Sequence, residues 1–245
     1  MILHDQIQGH WIRDWIKTPD FEDHTTHVHW AQCGNTYADV RLPAVRPDVS
    51  RVSSLADLSA HQIAQLLQAE GFVGHVTLNG PHCNWHRELN WHGAPDGNDI
   101  GHIAFDDTGQ MIETGVEATY TELWHHQTDA IKRVFRLSGD GFLGILVIIG
   151  SDFVVGIDLP GRPATASLLA KLADGHIPDE VTGLFDGIYA TGPWADGVAT
   201  ATLATQPLSE GKVILSFKTG TAIWHRRDFY GKLTQITLDV WTRSA

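Results

Sequence analysis

Gly71-Phe72-Val73-Gly74-His75-Val76-Thr77-Leu78-Asn79-Gly80-Pro81 lines up without a gap on Gly183-Leu184-Phe185-Asp186-Gly187-Ile188-Tyr189-Ala190-Thr191-Gly192-Pro193. Each is a glycine, a β-forming run and a Gly-Pro turn. Upstream, Gly34-Asn35-Thr36-Tyr37 through Leu42-Pro43 matches Gly150-Ser151-Asp152-Phe153 through Leu159-Pro160 with one residue inserted. Downstream, Thr121-Glu122-Leu123-Trp124 matches Leu238-Asp239-Val240-Trp241. Segments recurring in one order point to an internal duplication, with domains at 1–128 and 129–245.

Working outward, Gly34-Asn35 is a two-residue turn suited to positive φ, so His27–Cys33 and Thr36–Leu42 read as a hairpin. Ser59-Ala60-His61-Gln62 has capping-box form; Ile63, Leu66 and Leu67 make an apolar stripe, and Gly71 stands where a terminating glycine belongs. The second half repeats this order with a helix from about Ala166 to Leu172, stopped near Gly175. Phe142 to Val155 reads as a hairpin. The remaining strand-length pieces are Trp85–Trp91, His102–Phe105, Met111–Thr114, Thr119–His126, Val198–Thr205, Val213–Phe217 and Thr234–Trp241. The fold class is mainly β: seven or eight antiparallel strands and one short helix per half. A closed barrel leaves no unpaired edge and is favoured over a Greek-key sandwich.

Composition narrows the function. The 245 residues are 42% hydrophobic and 19% charged, a globular balance. A formal charge of −12 argues against nucleic acid and against anionic membranes. No run of 18 apolar residues exists, and Met1 to His10 is too polar for a signal peptide. Two cysteines, Cys33 and Cys83, are read as reduced thiols, which predicts a cytoplasmic protein.

Gly9-His10-Trp11 has the Gly-x-Trp form that opens the first strand of lipocalins, and Trp241-Thr242-Arg243 resembles their last-strand arginine. Gly109-Gln110-Met111-Ile112-Glu113-Thr114-Gly115, followed by Tyr120-Thr121-Glu122-Leu123-Trp124, is similar to the signature of the fungal Hri family. That resemblance implies two tandem lipocalin-like (calycin) barrels and a ligand cavity; it brings no activity with it.

The halves differ in polar content. Thirteen of 15 histidines and six of nine tryptophans lie in residues 1–126, which places a candidate site in the first barrel. Period-two alternation puts Tyr120, Glu122, Trp124 and His126 on one strand face. On the 27–42 hairpin, Trp30 opposes Asp39, Val28 opposes Arg41 and Gln32 opposes Tyr37. If these faces look inward, Tyr37, Asp39, Arg41, Tyr120, Glu122 and Trp124, together with Arg13, line an aromatic-walled cavity. If they look outward, they form a salt-bridged surface. Glu113 and Glu122 are candidate proton-transfer groups, with His86 as a further acid or base, but a structural ion pair with Arg41 or Arg13 is the favoured reading.

His24-x-x-His27-x-His29 and His82-x-x-x-His86 have spacings that metal sites use, and His27 and His29 share a strand face. Solvent-exposed strand and loop histidines are the favoured reading of both patterns. No cofactor is predicted; zinc, or haem on His125 or His126, stays open. No Gly-x-Ser-x-Gly or phosphate loop occurs. Trp85, Arg87, Leu89 and Trp91 alternate onto one face, where an arginine could stack on indoles.

Three functions are carried forward. The first is a binder of a small, partly apolar or aromatic molecule in the first barrel. The second is a proton-transfer enzyme (isomerase, cyclase or lyase type) on that scaffold. The third is an interaction or homodimerisation module with a filled interior.

Overall fold

The computed structural model describes residues 4–93, 97–128, 132–162 and 164–242. Arg243 lies outside the described residues, as does the 129–131 connection between the halves.

The first half runs β1 (Gly9–Lys17), β2 (Glu22–Asp23), β3 (His27–Cys33), β4 (Thr36–Leu42), β5 (Glu70–Asn79), β6 (His82–Asn90), β7 (Ile100–Phe105), β8 (Met111–Gly115) and β9 (Thr121–Thr128). Apart from the short β2, which lies along β1, successive strands pair antiparallel, and β9 returns to β1. Eight strands therefore close into a barrel with no free edge.

The second half repeats the plan: β10 (Lys132–Gly139), β11 (Phe142–Ile149), β12 (Asp152–Asp158), β13 (Ile188–Ala195), β14 (Val198–Thr200), β15 (Leu203–Ala204), β16 (Val213–Lys218), β17 (Thr221–Arg227) and β18 (Leu233–Thr242). Here β18 closes on β10, and β15 is the short addition, along β13. The turns Gly34-Asn35 and Gly150-Ser151 are equivalent, with glycine at φ 59° and 61°. Only a residue without Cβ takes this left-handed conformation cheaply.

Helix α1 (Ala60–Leu66) has the expected capping box: Ser59 Oγ accepts from the Gln62 N–H, and Gln62 Oε1 from the Ser59 N–H. Gly71 does not end this helix. It lies in β5 opposite Val40, where a Cβ would overlap the Tyr189 ring. The second half has two helices where one was read, α2 (Ala166–Ala173) and α3 (Glu180–Leu184). Five residues are too few for the 3.6-residue period to show in sequence. No helix among the described residues is long and apolar enough to cross a membrane.

Two of the repeat alignments shift. With Tyr37 matched to Phe153, strand pairing makes Gly74 the counterpart of Gly192. Both stand where the ladder to the next strand breaks, and a Cβ would overlap His86 O or Thr200 O. Gly80-Pro81 therefore matches the turn Asp196-Gly197. At the chain's end Trp124 points inward, buried, whereas Trp241 is 51% exposed and Val240 is the inward residue. A slip of one residue moves every side chain to the other face.

There are three cores: one inside each barrel, and a third between them. The third packs the outer faces of β3–β5 and β11–β13 with all three helices. Trp91 Nε1 donates to Leu184 O at 2.8 Å across it. Arg136 bridges the barrels at the surface, donating twice to Glu88, at 2.6 and 2.9 Å.

Candidate functional site

Pairing of β3 with β4 sets Trp30 against Asp39, Val28 against Arg41 and Gln32 against Tyr37, and this face looks into the first barrel. Across the lumen, Glu113 of β8 is paired in register with Glu122 of β9. Tyr37, Asp39, Glu113, Glu122 and Trp124 are all buried, and Arg13 nearly so. Glycine at position 101 leaves the room that Glu113 uses, since a Cβ there would stand 2.8 Å from Glu113 Cγ.

These groups form a chain of ion pairs with a carboxyl–phenol pair beside it. Arg13 Nη1 donates to Glu122 Oε1 at 2.6 Å, with Arg41 Nη1 3.6 Å from the same oxygen. Arg41 Nε donates to Asp39 Oδ1 at 3.0 Å. Tyr120, just ahead of β9, donates its hydroxyl to Glu113 Oε1 at 2.7 Å. Burial pushes the Asp39 carboxyl up to about 6 despite Arg41. Burial, then the facing Glu122, holds Glu113 well above the usual carboxylate range. Tyr37 and Tyr120 are likewise raised by burial.

Alternation places Trp30 and Trp85 on strand faces without assigning them to the cavity, and gives no sign of Phe72 or Asp99, yet all four complete the site. Arg87 donates to Asp99 Oδ2 at 2.6 and 3.2 Å, with its guanidinium 3.7 Å over the Phe72 ring. Arg41 lies 5.1 Å from the same ring. The expected stacking of Arg87 on indoles is corrected by a bulge in β6. It sends Trp85 and Arg87 inward but Leu89 and Trp91 to the core between barrels, leaving Phe72 beneath the arginine. Asp99 follows a polar loop that has no periodicity to betray it. Trp30 meets Trp85 and Trp124 edge-on, at 5.7 and 5.8 Å.

Between Trp30, Trp85, Trp124, Phe72 and the carboxylates of Asp39, Asp99 and Glu113 lies a void of about 10 Å³. That is room for about one water molecule. The predicted side chains converge, but they fill the lumen. Three buried polar atoms in this interior have no partner: Tyr37 Oη, Glu122 Oε2 and Trp124 Nε1.

His86 is not part of this site. It lies on the barrel's outer wall, stacked on His75 and bonded to Thr77. His125, also outside, bonds Asp14 at 2.7 Å, while exposed His126 packs on Trp11. His29 shares a 3.0 Å hydrogen bond with His10 in the crevice facing Asp152; burial lowers the two imidazoles to about 4 and 3. His27 is exposed at the edge of this strip. Among the described residues no group of three or more His, Cys, Asp or Glu is arranged to hold a metal ion.

The second barrel's interior is apolar, from Leu137 and Phe142 to Trp224 and Leu238. An ion pair, Arg226 with Asp186, sits over one end beside Phe142.

No protein-family model matches the chain, and no curated protein sequence matches it. In three dimensions it is similar to the crystal structure of an uncharacterised protein, YLR301w, from Saccharomyces cerevisiae. The TM-score is 0.51 at 11% identity, over 96% of this chain and 98% of that one, a likeness of fold alone.

Proposed function

We propose that the chain is a small-molecule-binding protein whose first barrel is the binding compartment, and that its ligand is small and partly apolar or aromatic. One observation carries the reading: copies of one architecture differ in their interiors. The second barrel closes on apolar side chains, so the fold needs no charge inside. The first buries Arg13, Asp39, Glu113 and Glu122 among tryptophans and leaves Tyr37 Oη, Trp124 Nε1 and the carboxylate oxygen Glu122 Oε2 unpartnered, where the second leaves the indole donor of Trp224. Such groups are expensive to bury and are common where ligands bind. Arg41, Arg87 and Asp99 are partly exposed and mark the side from which a ligand would enter. Trp11, buried at the start of β1 and donating to Ile7 O at 2.9 Å, supports the lipocalin-like assignment. The free thiols Cys33 and Cys83 support a cytoplasmic location.

Native mass spectrometry of protein isolated without denaturation, paired with a thermal-shift and tryptophan-fluorescence screen of metabolites, tests the reading. A ligand should raise the Tm and alter emission from Trp30, Trp85 and Trp124, and Glu122→Gln should weaken both effects. No retained mass and no shift across the screen would reject it.

A proton-transfer enzyme is the second reading, favoured by the pairing of Glu113, whose carboxyl burial holds well above its usual range, with Glu122 beside Arg13. It requires that Glu113→Gln abolish turnover while leaving ligand affinity in place.

A further inference from the structure

Carboxylates outnumber guanidiniums inside the first barrel. Arg13, Arg41 and Arg87 face Asp39, Asp99, Glu113 and Glu122, and Asp23 stands 3.6 Å from Arg13 as a further acid. Arg13 is engaged by Glu122, Arg41 by Asp39 and Arg87 by Asp99. Glu113 is left with a neutral donor, Tyr120, and with Glu122 directly opposite. The void is lined by three carboxylates, Glu113, Asp39 and Asp99, by one guanidinium, Arg41, and by aromatic rings. Aromatic faces joined to carboxylates recognise organic cations. The barrel already displays this chemistry, because the Arg87 guanidinium occupies the Phe72 face and the Asp99 carboxylate. Independently, Glu122 Oε2 is a buried acceptor with no donor. An anionic ligand would add to the acid excess; a cation would relieve it.

We infer that the first barrel takes a small organic cation, an ammonium or guanidinium on an apolar or aromatic body, which displaces Arg87 from Asp99 and Phe72 and becomes the counter-ion of Glu113. The inference rests on the first barrel being the binding compartment. Glu113 is faced by Glu122 from β9, Asp39 and Arg41 from β4, Cys83 from β6, Asp99 ahead of β7 and Tyr120 ahead of β9. Arg41 is the cation among these, and Asp39 holds it. Glu113 therefore carries a proton in the free protein. As the cation arrives the carboxyl ionises and its proton passes to solvent, so binding releases about one proton.

Isothermal titration of the full chain with phenethylamine, and with phenylacetate as the matched anion, tests this in two buffers of different ionisation enthalpy at pH 7, with tryptophan fluorescence as a second readout. Phenethylamine should bind at least about tenfold more tightly than phenylacetate, with proton release. Glu113→Gln should abolish the release and weaken phenethylamine, and Arg87→Ala, which removes the resident guanidinium, should tighten it. Equal or tighter binding of phenylacetate overturns the cation assignment and leaves the compartment standing. Phenethylamine binding without proton release overturns the role given to Glu113. Silence from both probes to about 10 mM overturns the inference as a whole; the compartment reading is then decided by the metabolite screen.

Discussion

The second barrel encloses leucine, isoleucine, valine, alanine and phenylalanine around Trp224, while the first, with the same strand order and the same closure, encloses ion pairs among tryptophans. An eight-stranded meander is thus stable with either filling. What differs is charge: the second interior leaves one buried indole donor, Trp224 Nε1, without a partner, whereas the first leaves Tyr37 Oη, Trp124 Nε1 and the carboxylate oxygen Glu122 Oε2 unpartnered.

The sharpest way to break the contrast is to move a charge across. Leu215→Glu in the second barrel, fully buried and opposite Trp224, has no buried counter-ion to meet. It is expected to cost more than about 4–5 kcal/mol and abolish a folded urea baseline. A modest loss would mean that the second interior also accepts charge. In the first barrel, Arg13→Met strands Glu122 and should cost about 3–5 kcal/mol in urea denaturation. Adding Glu122→Leu should recover most of that, because an apolar pair of similar volume is commonly as stable as a buried ion pair. Failure to recover would make the pair a structural necessity and remove the reason for reading it as functional.

Next comes pH. Burial raises Asp39 in the first barrel and Asp158 between the barrels, each to about 6. A carboxyl with a raised folded pKa binds its proton more tightly in the native state. Stability from these groups is therefore full below about pH 4, falls as pH rises to about 6 and is flat beyond, with a size of about 3 kcal/mol for each. Melting curves across that window should flatten in part with Asp39→Asn and in part with Asp158→Asn. If Asp158→Asn alone removes the slope, Asp39 is not buried as a charge. The smallest effect is expected for Arg87→Met, about 1 kcal/mol, since both Arg87 and Asp99 keep some water.

Much of the architecture was legible because local rules and tertiary packing agree. The Gly34-Asn35 turn fixed the β3–β4 register, which in turn placed Trp30, Asp39, Val28 and Arg41 on one face. The Ser59–Gln62 box announced α1. Where sequence misled, a non-local partner decided. Gly71 looked like a helix stop, but its missing side chain accommodates Tyr189 from 118 residues away. The β6 bulge, which splits Arg87 from Leu89, depends on Gly74 in the neighbouring strand. Convergence of Tyr37, Asp39, Glu122 and Trp124 was readable from alternation. The fullness of the lumen was not, because it depends on how Phe72, Arg87 and Asp99 close over them.

Tyr189 bears on the history of the molecule. Val40 opposes Gly71 in one copy; the equivalent pair in the other is Gly156 opposite Tyr189. The tyrosine ring fills space that both glycines leave empty. Two identical ancestral units meeting by this face would have set tyrosine on tyrosine or hole on hole. A knob on one copy and a socket on the other can be selected once both are encoded in a single chain. In this chain the knob lies on one half and the socket on the other, so the two halves are not interchangeable at this joint.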